Sequence, residues 1–241
     1  ELDRIIPNRP VYINAYDGHT SWANTKALEL AGILQAGVDA PGNGVIVRDE
    51  NGMATGELRE TAMNMVSDLI PEPSDARKRE LLLKTIKHIN STGVTSVHNM
   101  NGEIEEMMVY AALEDAGQLT LRVYVPYWVK PETTEDMLKE AAEMAKIQGE
   151  FARGGAAKFF MDGVWESYTA LNIEPYADNP DAKPEGIYSL EHFTRMATLC
   201  DKMGLQIFVH CCGAGAVRRV LDGYEAVQRS NGKRDSRHRV E

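Results

Sequence analysis

From Ser74 onward the chain alternates helix and strand, and its strands are apolar on both faces. That pattern means a parallel sheet covered by helices, because a strand buried on both sides has no face to offer to water. Ser74 caps a helix running to about Thr92, and strand Val94–His98, helix Glu103–Ala116 and strand Leu119–Tyr127 follow. Next come a helix over Thr134–Ala152, a strand over Ala156–Met161, a helix over Leu190–Met203, a strand over Leu205–His210 and a helix over Ala216–Gln228. Arg237–Glu241 reads as the opening of one more strand. An open doubly wound sheet and a (β/α) barrel both fit. No G-x-G-x-x-G follows a strand, which weakens the dinucleotide-binding form. The long irregular segment 163–188 lies where a barrel keeps its active-site loops, which favours the barrel.

Residues 1–73 have a different rhythm. Val11–Tyr16 reads as a strand, Trp22–Ala31 as a helix, Val45–Arg48 with Met53–Thr55 as a β-hairpin, and Glu57–Leu69 as a helix ended by Pro71-Glu72-Pro73. The expected organisation is therefore a subdomain over 1–73 and an α/β unit over 74–241.

Composition narrows the function. A net charge of −10 argues against nucleic-acid binding. No apolar run approaches the roughly 20 residues of a membrane span. Three cysteines, two of them adjacent, make neither a disulfide framework nor a CxxC zinc site, so a reducing, cytoplasmic setting is expected. Glu1-Leu2-Asp3-Arg4 lacks the layout of a signal peptide, and the chain opens within a polar helix-like phrase, as a processed form or a fragment would.

Two strands each carry one residue that apolar strands rarely tolerate. Lys158 lies within Ala156–Met161, and a buried ammonium costs several kcal/mol unless its charge is compensated. It has three readings: a snorkelling rim residue, a Schiff-base amine, or a carbamate whose hard oxygens would suit zinc, manganese or iron. His210 ends the other strand, where α/β barrels place their chemistry, and a neutral imidazole there can ligate a metal or simply hydrogen-bond a carbonyl. Alternation puts Asp162 on the face of Lys158, where it is a candidate to meet substrate. His98 ends a third strand and is a candidate for the rim of the site. Trp165 opens the long loop, and His19 and Trp22 follow the first strand; all three are candidates to touch a small-molecule substrate.

These segments resemble the YtcJ-like amidohydrolases, a branch that includes N-substituted formamide deformylases. Asp17–Leu28 is similar to the branch's DGH-[ST]-x-W-x-N-x-x-AL segment, and Thr55–Glu60 to its TG-x-L-x-E segment. Ala157–Gly163 resembles its V-K-x-F-x-DG strand, Leu205–His210 the strand ending in HAIGD, and Arg237–Glu241 the R-x-R-I-E-H strand. In place of the HxxGD aspartate this chain has Ala214.

The resemblance implies a metal-dependent hydrolase built as a (β/α) barrel, incomplete here and spanning about strands two to the start of six. Residues 1–73 would be the capping insertion. It also implies Lys158, carbamylated, and His210 as ligands of a divalent metal, with zinc expected first. The paired histidines of strand one would precede Glu1, and the strand-six histidine and general-base aspartate would follow Glu241. The reaction implied is hydrolysis of an amide-type C–N bond other than a peptide bond. A Schiff-base lyase or aldolase using Lys158, and a non-catalytic fragment pairing with a second copy through open strand edges, are the rival expectations.

Overall fold

The computed structural model describes residues 1–241, which divide into two compact units, Glu1–Glu72 and Pro73–Glu241. The first unit contains α1 (Leu2–Ile5), β1 (Tyr12–Asn14), β2 (Thr20–Ala23), α2 (Thr25–Leu30), β3 (Val45–Arg48) and β4 (Ala54–Arg59). A 3-10 turn over Glu60–Met63 and α3 (Asn64–Ser67) complete it. Its strands form one antiparallel sheet in the order β1-β2-β4-β3. Leu28, Ile33, Leu58 and Val66 fill the core beneath.

Two expected helices in this unit begin as strand. Trp22 lies in β2, where Ser21 and Ala23 point inward and the indole points out, so the helix starts only after Asn24. The Asn24 side chain fixes that start: its Oδ1 accepts the N–H groups of Ala27 and Val11, and its Nδ2 donates to the carbonyls of Ile6 and Arg9. Glu57-Leu58-Arg59, good helix formers by propensity, are held in β4 by pairing with β2 on one side and β3 on the other. Gly56 permits that pairing. Its φ is +106°, and a Cβ there would sit 2.5 Å from the Ala23 carbonyl oxygen.

The second unit contains α4 (Asp75–Ser91), β5 (Ser96–His98), α5 (Ile104–Asp115), β6 (Arg122–Tyr124), β7 (Tyr127–Trp128), α6 (Leu138–Met144), β8 (Ala152–Arg153) and β9 (Ala156–Phe160). Then follow α7 (Leu190–Lys202), β10 (Gln206–His210), α8 (Ala214–Asn231) and β11 (Arg239–Val240). The expected helix over Thr134–Ala152 shrinks to α6, because Gly149 and the Gly154-Gly155 pair follow it and Ala152 joins the sheet. Gly154 and Gly155 also split one passage of strand into β8 and β9, as Val125-Pro126 splits β6 from β7.

All strand pairs in this unit are parallel: β5 with β6, β6 with β8, β7 with β9, β9 with β10, and β10 with β11. The five passages therefore lie side by side in sequence order, without the reversal that defines a doubly wound sheet. The sheet is also curled. Four strand spacings of about 4.8 Å would put β11 about 19 Å from β5 in a flat sheet. Yet Arg239 on β11 donates from Nη2 to His98 Nδ1 on β5 at 2.8 Å.

Alternation sorts the two faces. Ala157, Phe159, Met161, Ile207 and Val209 pack outward with Met107, Leu138, Phe193, Met196 and Val220 of the helices in one core. Lys158, Phe160, Phe208, His210, Arg239 and Glu241 occupy the concave face.

Candidate active site at the strand ends

The concave face holds a charged chain on an aromatic floor. Lys158, only 3% exposed, donates from Nζ to Glu241 Oε1 at 2.7 Å. Its ammonium stands 4.6 Å from the Phe160 ring centre. Burial pulls the Lys158 pKa below the ordinary lysine value, against the opposing pull of the Glu241 carboxylate. The other Glu241 oxygen lies 3.3 Å from Arg239 Nε. The Arg239 guanidinium lies 3.4 Å above the Phe208 ring, and Phe208 in turn stacks on His98. Because Arg239 can only donate, His98 Nδ1 accepts, and the neutral imidazole carries its proton on Nε2. Burial first, and the Arg239 charge second, lower the His98 pKa.

His210 sits on β10 level with Phe160, one pleat beyond Lys158. Its Nε2 lies 3.1 Å from the Gly163 carbonyl and 3.6 Å from Cys212 Sγ. Burial pushes the neighbouring Cys211 thiol up to about 12, so it stays protonated and is no nucleophile at neutral pH.

Asp162, expected to meet substrate, is 1% exposed and fully engaged by backbone. One carboxylate oxygen accepts the Cys212 N–H at 3.0 Å, and the other accepts those of Gly213 at 2.8 Å and Leu171 at 2.7 Å. It ties the long loop to the turn after β10. Gly213 completes the clamp: a Cβ there would fall 2.0 Å from the Leu171 carbonyl oxygen. Trp165, 49% exposed, donates its indole N–H to the Cys212 carbonyl at 3.1 Å, so it too is fixed over that turn.

In the first unit, His19 Nδ1 lies 3.1 Å from Glu60 Oε2, and Trp22 is half exposed on the outer face of β2. The structure thus gathers Lys158, His210, His98, Asp162 and Trp165 on one unit, and places His19 and Trp22 on the other.

The amidohydrolase family's sequence profile matches residues 1–241. The chain belongs to the amidohydrolase family. This amidohydrolase chain is 32% identical to the protein LONG AFTER FAR-RED 3 of Arabidopsis thaliana, covering all of this chain and 42% of that protein. It is 29% identical to YtcJ of Bacillus subtilis (98% of this chain, 44% of that one). Against the N-substituted formamide deformylase of Arthrobacter pascens it is 28% identical (96% and 43%). Two solved structures match as well, both uncharacterized metal-dependent hydrolases. That from Pyrococcus furiosus superposes with a TM-score of 0.67 at 27% identity, covering 93% of this chain and 45% of that one. That from Pyrococcus horikoshii gives 0.66 at 26% identity (90% and 42%). The amidohydrolase chain therefore spans under half the length of these relatives.

A divalent metal is the group such relatives imply, and the donors can be tested against it. Lys158 and His210 lie on adjacent strands and the same face, but the Lys158 ammonium, donating to Glu241, has no lone pair to offer an ion. A catalytic zinc takes three protein donors, and no three His, Cys, Asp or Glu side chains converge here to hold an ion. These residues do not by themselves make a metal site.

Sequence reasoning missed Glu241 and Arg239, although alternation along the last strand puts both on the Lys158 face. It also missed Asp201. This buried carboxylate at the end of α7 binds Asn231 Nδ2, Arg234 Nε and His238 Nε2, and so anchors the approach to β11. His238 also accepts the Ile207 N–H through Nδ1.

Proposed function

We propose that this chain is the middle of a metal-dependent amidohydrolase that cleaves an amide-type C–N bond of a small molecule with a metal-activated water. The observation that carries the reading is Lys158. It is a buried lysine of lowered pKa on the concave face of a curled parallel sheet, one pleat from His210. A lowered pKa raises the share of free amine, the form that takes up carbon dioxide to become a carbamate. In this proposal residues 74–241 are part of a (β/α) barrel, and residues 1–73 are an insertion. Lys158 and His210 hold one side of the ion, and segments beyond these 241 residues supply the other donors. Zinc is the expected metal.

The residues of this chain have their own tasks. Glu241 pairs with the Lys158 ammonium, and only after that proton has left can the free amine add carbon dioxide, releasing a second proton as the carbamate forms. Asp162 and Gly213 hold the turn after His210 and so fix the ring's distance from β9. His98, with a proton on Nε2, offers a donor to a substrate carbonyl or leaving group at the rim. The test is amine release from N-substituted formamides by the full protein that contains these residues, with labelled bicarbonate used to detect a carbamate on Lys158 by carbon-13 NMR. Chelator-sensitive turnover and a carbamate signal lost in Lys158→Ala are expected. Borohydride trapping of a carbonyl substrate on Lys158 would favour a Schiff-base enzyme instead and overturn the reading.

A further inference from the structure

The loop between β9 and α7, with Ala214 at the start of α8, lines an open cleft of about 810 Å³ that gathers aromatic rings and carboxylates. Three rings line it, Trp165, Tyr168 and Tyr176, together with three carboxylates, Glu166, Glu174 and Asp178. No lysine, arginine or histidine lines it. The rings are held in place. Trp165 meets Tyr176 edge-on at 5.5 Å and 77°, and Tyr168 meets it at 5.1 Å and 74°. Tyr176 is buried and donates its hydroxyl to the Ala170 carbonyl at 2.9 Å. Tyr168 donates to Asp178 Oδ2 at 3.0 Å and holds a φ of +57°, a strained backbone for a bulky residue. Trp165 is pinned by its indole bond to Cys212, so its ring face is presented rather than free to swing.

Aromatic faces carry negative potential, and carboxylates around them add to it. The matching ligand is positive. The carboxylates do not converge as a metal-holding group, which separates this cavity from an inorganic cation site. We infer that the cavity takes an organic cation, an ammonium or quaternary ammonium carried on an apolar body. Trp165 bonds to the residue two past His210, so a ligand in the cavity lies beside the strand ends. The substrates of the proposed amidohydrolase are accordingly amides bearing a cationic group; this last step rests on the functional reading above, while the cation site does not.

Titration with benzyltrimethylammonium tests the site, followed by calorimetry and by Trp165 fluorescence. Neopentylbenzene, its uncharged isostere, and phenylmethanesulfonate serve as comparisons. The ammonium should bind at least about tenfold more tightly than the isostere, and the sulfonate should not bind. Trp165→Leu should weaken it about tenfold, and Glu166→Gln with Asp178→Asn should weaken it and flatten its salt dependence. All three positions are exposed, so folding should survive, which circular dichroism checks. Equal affinity for the isostere, unchanged binding in Trp165→Leu, or displacement by calcium at equal concentration would overturn the inference. Binding needs no turnover, so the two readings fail separately. Ammonium binding with no hydrolysis of either neutral or cationic amides sinks the enzyme. Hydrolysis of neutral amides without ammonium binding sinks the cavity.

Discussion

Removing the anion from the Lys158–Glu241 pair should harm this unit far more than removing the cation. Lys158 is 3% exposed, whereas the Glu241 side chain is 29% exposed. In Lys158→Met the desolvation cost of the ammonium disappears, the apolar stem is kept, and Glu241 turns to water. The expected change is within about 1 kcal/mol. In Glu241→Gln the ammonium stays buried without its counter-charge, and breaking such a pair costs about 3–5 kcal/mol. A ceiling follows from deprotonation. Lysine titrates near 10.4 when unfolded, so shedding its proton at pH 7 costs about 4.6 kcal/mol and no larger penalty can accumulate. The pH dependence has a fixed sign. The folded pKa is lowered, so between that value and about 10.4 the unfolded state binds more protons, and stability rises with pH. The Glu241→Gln penalty should therefore shrink on going from pH 7 to pH 10, by up to about 1.4 kcal/mol per unit. Urea denaturation of the three proteins at both pH values measures this. A Glu241→Gln protein as stable as the parent, or a Lys158→Met protein that is the worse of the two, would refute the assignment of Lys158 as a buried, charge-compensated amine.

Asp162→Ala strands three backbone donors and should cost about 3 kcal/mol, with protease cleavage appearing first within 163–188; a protected loop in that variant would count against the clamp. Gly213→Ala, whose added Cβ would meet the Leu171 carbonyl, should open the same loop, while an unchanged thermal midpoint would argue that the backbone gives way easily. Burial pushes the Asp201 carboxyl up, but the bonds from Asn231 and Arg234 and the nearby charges outweigh it, so its pKa falls below the ordinary value. Its stabilisation is thus complete above the unfolded pKa near 3.9 and is lost as pH falls through the folded value, so Asp201→Asn should flatten the acid limb of a urea-midpoint profile.

How far the sequence speaks for itself varies with distance along the chain. Ser74, Gly204 and the doubly apolar runs at Ala156–Phe160 and Gln206–His210 are local signals, and helices and strands stand where they point. Trp22 and Glu57–Arg59 fail the same reading because cross-strand pairing, invisible to propensity, outweighs helix preference. At the site, Lys158 and His210 stand out because each breaks the apolar pattern of its strand. Their partners do not stand out. Glu241 is 83 residues away and Gly163 is 47, and only the register of the sheet brings them close. Asp162 shows the limit most clearly. Strand alternation puts it on the Lys158 face, yet its carboxylate is used up by backbone N–H groups, a role that a sequence pattern does not distinguish from contact with substrate.

In the proposed enzyme Lys158 and His210 share a metal. The most direct test is elemental analysis of the full protein that contains these residues, alongside its Lys158→Ala, His210→Ala and His98→Ala variants. Stoichiometric divalent metal in the parent and in His98→Ala, with loss in the other two, is the predicted result. Metal retained at full occupancy in both Lys158→Ala and His210→Ala, or absent from the parent after reconstitution with zinc, would contradict it.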